Sequence, residues 1–176
     1  MNKLFVFGIL LFLSCSLFGQ GIANEALDSL YYYVEKTHSE AIIIQQNGKL
    51  IGEKYFGIGH PDTLIEAMSC TKSIVGLAAV CLLDDGFLDS LDTPVYHYYP
   101  EWKQGKKQLI TLRHLLNMTS GMQNVPNTGV EIYPSPDFVQ LALAAELSDD
   151  PGKRFSYNNK SLNLMAGIFR QATGKM

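Results

Sequence analysis

Apolar positions along the chain recur with two periods. Over residues 24–37, Leu27, Leu30, Tyr31 and Val34 fall three and four residues apart, which predicts a short helix with one apolar side. The next stretch, AIIIQQNGKLIGEKYFG, holds two strand-like runs around Asn47-Gly48. An Asn-Gly pair accepts the positive φ angles of a tight turn, so this stretch predicts a hairpin with strands near 41–46 and 49–56. After a loop with Gly57, Gly59 and Pro61, the helical period returns at Ile74, Leu77, Ala78, Cys81 and Leu82, predicting a helix from about Ser69 to Asp84 that Gly86 closes. Residues 86–110 carry Pro94, Pro100 and five aromatics including Trp102, and are expected to be loop that covers part of the core. Thr111 is the expected cap of a helix ending near Gly121, and the three prolines of residues 122–136 predict an irregular excursion. Helices at about 137–147 and 161–172 then flank the loop SDDPGKRFSYNN. No internal repeat or low-complexity segment occurs.

The chain of 176 residues is 47% apolar and 18% charged, the composition of a globular domain able to bury a core. Its formal charge is −3, with no dense run of Lys or Arg to neutralise phosphates, so a nucleic-acid partner is not expected. The opening MNKLFVFGILLFLSCSLFGQ has a cation at Lys3 and a ten-residue apolar run, Leu4 to Leu13, before small and polar residues. It predicts a signal peptide over residues 1–19, cleaved near Gly19, with residues 20–176 as the mature domain. The apolar run is half of the about 20 residues needed to span a bilayer. Export to the periplasm or the exterior is therefore expected, the alternative being a lipid anchor on Cys15. Cys70 and Cys81, if both lie on one helix, are about 16 Å apart along its axis, too far for a disulfide. Burial is the expected fate of both.

Candidate chemistry starts at SCTKSIVG, where Ser69 precedes Lys72 by three residues. That spacing advances about 4.5 Å along a helix and returns to nearly the same face, so the two side chains can touch. A serine hydroxyl needs a base in reach to become a nucleophile. An amine serves as that base when desolvation or a nearby cation lowers its pKa. A serine at a helix start also gains from the dipole, which favours the charge that develops during attack. The spacing alone carries little weight, because chance gives about one Ser-x-x-Lys in a chain of this composition. A capping serine beside a solvated lysine accounts for it equally well. The histidines, His38, His60, His97 and His114, show no metal-ligand spacing; His114 beside Leu115 is expected to be structural.

Beyond this pair, four ordered blocks resemble the serine beta-lactamase and penicillin-binding-protein family, in particular its class C-like and esterase-like branch: SCTKSIVG, LLDDGFLDSLDTPVYHYYPEW, ITLRHLLNMTSGM and PGKRFSYNNKSLNLMAGIFRQATGK. The resemblance runs from about residue 41 to the C-terminus. It implies an α+β fold of the beta-lactamase/transpeptidase type and an acyl-enzyme reaction on an amide or ester. It implies Ser69 as the acylated nucleophile, Lys72 as its base or base partner, and Tyr157 and Asn159, from a Tyr-x-Asn motif, as proton shuttle and substrate-binding residue. A phenol beside an ammonium has a lowered pKa, which suits that shuttle, whereas Ser120 and Gly121 are expected to shape a loop. The family's third motif, Lys-Thr-Gly or His-x-Gly on a late strand, does not follow Tyr157 within these residues. That strand supplies an oxyanion-hole donor, whose loss costs about 100 to 1000-fold in rate. The expectation is therefore the N-terminal portion of such a hydrolase, weakly active or inactive by itself. The alternative is a vestigial, non-catalytic binding module of the same fold. No cofactor or metal is implied; a small-molecule or peptide substrate and a monomeric state are expected, with membrane contact only if Cys15 is lipidated.

Overall fold

The computed structural model describes residues 21–125 and 127–175, so the expected signal peptide and Cys15 lie outside the described residues. The described chain forms two compact units that divide after Glu66.

The first unit holds helix α1 (Asn24–Lys36) and the antiparallel strands β1 (Ala41–Gln46) and β2 (Lys49–Tyr55). Asn47 and Gly48 both take positive φ, 51° and 75°, the geometry of a two-residue type I′ turn. A register shift between Ile44 and Gln45 bends the ladder. Gly52 lies close under α1: a Cβ there would meet the Tyr31 hydroxyl, and the tyrosine would have to shift to admit it. The hairpin therefore forms where the two strand-like runs and the Asn-Gly pair predict it.

In the second unit, helix α2 (Thr71–Asp84) is followed by three short 3₁₀ turns at Val95–His97, Pro100–Trp102 and Gly105–Leu109. Then come helices α3 (Leu112–Leu116), α4 (Thr128–Glu131), α5 (Phe138–Ala144) and α6 (Asn159–Thr173). The stretch expected as loop over the core is thus wound into turns whose side chains are core: Val95, Trp102 and Ile110 are buried. Trp102 Nε1 donates to the Leu143 carbonyl over 3.1 Å, and the Tyr99 hydroxyl donates to the Leu164 carbonyl over 2.9 Å. Burial pushes the Tyr99 phenol up to about 12. Helix α6 presents Leu164, Met165 and Ile168 to this core, opposite Leu112, Leu115 and Ala142.

Thr111 caps α3 as expected and His114 completes a reciprocal capping box: the His114 N–H donates to Thr111 Oγ1, and the Thr111 N–H to His114 Nδ1, each over 3.3 Å. His114 is structural in this sense. The helix stops at Leu116 rather than near Gly121, because Met118 turns into the left-handed region, φ 55°. Helix α6 begins two residues earlier than its apolar pattern, since the Asn158 side chain caps it by accepting from the Lys160 N–H over 3.0 Å.

Two expectations about α2 are corrected. Val75, Ala79, Leu82 and Leu83 face the core, whereas Ile74 (62% exposed), Leu77 (68%) and Cys81 face outward. The helix is apolar nearly all round, so periodicity could not select its inner side. Cys70 and Cys81 are free, as their separation requires, but both are exposed rather than buried: Cys81 lies on that outer face and Cys70 on the turn before it. Among the described residues no helix is long and apolar enough to cross a membrane.

Candidate active site

The chain enters α2 through a 3₁₀ turn, Met68–Cys70, so Ser69 sits ahead of the α-helix rather than in its first turn. Met68 takes φ 45°, a conformation that a non-glycine residue adopts at a cost. That turn leaves Ser69 exposed, while Lys72 reaches back from the first turn of α2. Lys72 Nζ donates to Ser69 Oγ over 3.0 Å. The Tyr157 hydroxyl, from the loop before α6, donates to the same oxygen over 2.6 Å although 88 residues separate the pair in sequence. Lys72 Nζ also lies 5.1 Å from the centre of the Tyr157 ring. The hydrogen bond to Ser69 and then the Lys72 ammonium hold the Tyr157 phenol below its ordinary value of 10. In the phenolate form the 2.6 Å contact is donated by the serine hydroxyl instead, which is the arrangement in which an acceptor can take its proton. Tyr157 is 47% exposed, so its side chain lies at the surface of this unit.

Three of the four sequence-derived site residues, Ser69, Lys72 and Tyr157, thus meet at one oxygen atom. Asn159, the first residue of α6, lies with Lys72 on the wall of an adjoining cleft.

A polar base below the site was not read from the sequence. Asn158 is buried, its Nδ2 donating to the carbonyls of Met122 and Gln123 over 3.0 and 3.3 Å. Ser120 and Ser161 share a buried hydroxyl–hydroxyl contact of 2.9 Å. Lys160, its side chain 3% exposed, pairs with Glu131 of α4. These contacts tie residues 120–131 to Asn158, the cap of α6, and to Lys160 and Ser161 in its first turn, on either side of Asn159. In sequence, a lysine in the first turn of a helix looks like a solvated one, so only its buried partner reveals its role. Gly121, expected to shape the loop, takes φ 77° and leaves no room for a Cβ against the Asp149 carbonyl.

A family model described as Beta-lactamase matches residues 33–176. The chain belongs to the beta-lactamase family. Within this family, Protein flp of Staphylococcus aureus strain MRSA252 is 29% identical over 172 residues, covering 86% of this chain and 34% of that protein. Esterase EstB of Burkholderia gladioli is 28% identical over 160 residues, covering 76% of this chain and 40% of the esterase. The octameric penicillin-binding protein homologue from Pyrococcus abyssi superposes with a TM-score of 0.68 at 24% identity, over 86% of this chain and 39% of that one. This beta-lactamase-family chain thus spans about a third of the length of the staphylococcal relative. Its fold is α+β, of the beta-lactamase and transpeptidase type, and it is related to the serine hydrolases of the family.

Proposed function

We propose that this chain carries the nucleophile and proton relay of an exported serine hydrolase that opens an amide or ester through an acyl-enzyme. The convergence of Lys72 Nζ and the Tyr157 hydroxyl on Ser69 Oγ, at 3.0 and 2.6 Å, carries the reading. Ser69 Oγ attacks the substrate carbonyl carbon and its proton passes to Tyr157. The C–N or C–O bond breaks as that proton moves on to the leaving group, and water then releases the acyl group from Ser69. The Lys72 ammonium favours the Tyr157 phenolate, the form that accepts the serine proton. Asn159, with an amide that both donates and accepts, orients the substrate.

A fluorophosphonate probe or a beta-lactam tests the reading by intact-protein mass spectrometry and peptide mapping. The expected adduct lies on Ser69 and is absent from Ser69→Ala. An adduct elsewhere, or none, rejects the nucleophile. Labelling without turnover of nitrocefin or p-nitrophenyl acetate identifies the vestigial module instead. Export is part of the proposal: cell fractionation with N-terminal sequencing is expected to find a chain that starts near residue 20, whereas an acylated Cys15 at the N-terminus identifies the lipid-anchored form.

A further inference from the structure

Lys160, the second residue of α6, is unfavourably placed in two ways. Its ammonium lies in the first turn of a helix, where the dipole favours negative charge, and its side chain is 3% exposed, where an ion is costly to desolvate. It pairs there with Glu131, the last residue of α4. A buried pair of this kind is often no more stable than two apolar side chains of similar volume, so stability by itself does not account for it. What the pair fixes is a geometry. One carboxylate oxygen of Glu131 meets Lys160 Nζ, while the other accepts from the Val125 N–H over 3.4 Å and closes the loop before α4.

Tyr157 lies three residues before Lys160. It is half-exposed, so burial does not hold the phenol, and its direction follows from the main chain on either side. On one side the Ser156 N–H donates to the Met118 carbonyl over 2.9 Å. On the other, Asn158 reaches the carbonyls of Met122 and Gln123, and Lys160 reaches Glu131. The groups that act on the phenol itself are Ser69, Lys72 and Cys70, so Lys160 and Glu131 can bear on it through position rather than charge.

We propose that Lys160 and Glu131 are positioning residues, a buried ion pair that holds the start of α6 where the Tyr157 hydroxyl meets Ser69 Oγ. The effect on rate rests on the reading of Ser69 as nucleophile; the effect on Tyr157 itself does not. An apolar pair fills the same space but sets no single register, because hydrophobic contacts have no direction.

The test compares two variants of the chain labelled with 13C at tyrosine Cζ, the Tyr157 resonance being the one absent from Tyr157→Phe. Glu131→Leu with Lys160→Met removes both charges and keeps the volume. Lys160→Met alone leaves Glu131, its side chain 19% exposed, able to turn to water. In both, the Tyr157 titration is expected to rise toward pH 10, the ordinary value of a phenol. Labelling of Ser69 by a fluorophosphonate is expected to slow about 10 to 100-fold, the effect of a misplacement of about 1 Å, and its alkaline limb moves up with the titration. An unmoved Tyr157 titration, whatever the Tm, makes the pair structural and overturns the proposal, as does loss of the fold in both variants; the nucleophile is untouched in either case. No labelling of the wild-type chain, with a Tyr157 titration that still rises in the variants, rejects Ser69 as nucleophile and retains the positioning pair.

Discussion

Tyr157 is an ordinary loop tyrosine in sequence, and its acidity comes from two neighbours that the fold brings to it. The contact with Ser69 and the charge of Lys72 favour the phenolate, so its titration lies below pH 10. The sign of the pH effect follows: the fraction of phenolate, and with it the rate of Ser69 labelling, rises with pH and levels off below pH 10. Tyr157→Phe is expected to remove that alkaline limb and to slow labelling about 100-fold or more, within the range for loss of a general base. A limb that survives the substitution assigns the proton transfer to Lys72. Ser69 and Lys72 were legible because three residues define a contact on any helical turn. The pairing with Tyr157 was legible only through resemblance, since nothing local in SYNN specifies an approach to residues 88 positions away.

Elements were legible where one physical signal sufficed. Asn47-Gly48 has a conformation few other pairs accept, and α6 has a distinct apolar side, so both were placed by sequence. Helix α2 was located but not oriented, because a helix apolar nearly all round has no preferred inner face until its neighbours pack. The outward position of Cys81, and of Cys70 before it, makes a direct prediction: Ellman's reagent is expected to titrate both thiols in the native fold at rates near those of small-molecule thiols. Protection of either places it in contact with another part of the protein. The Lys160–Glu131 pair joins α4 to α6 with the lysine almost fully buried. Glu131→Ala leaves that ammonium unpaired and is expected to cost about 3 kcal/mol or more, read as a lowered Tm. The double variant Glu131→Leu with Lys160→Met is expected to recover most of the loss, because it removes the charge along with its partner.

At the scale of the whole molecule, the division after Glu66 predicts where the native chain is cut. Residues 57–67 lie outside helix and strand, with Leu64 99% exposed and Ile58 77% exposed. Limited chymotrypsin digestion is expected to cleave first after Leu64, giving a product that begins at Ile65 in the mass spectrum; an initial cut inside α6 contradicts the two-unit organisation. Sequence by itself determined the hairpin, the principal helices, the Thr111 cap, the Ser69–Lys72 contact and, by resemblance, the family. Each of these rests on residues close in the chain or on ordered blocks that survive without coordinates. Only the tertiary structure decided which side of α2 is covered, that Val95, Tyr99, Trp102 and Ile110 of the stretch expected as loop are core, and that Lys160 is buried against Glu131. It also set a phenol 2.6 Å from Ser69 Oγ. Burial and long-range approach depend on what the rest of the chain packs against each residue, and no local pattern of side chains encodes that.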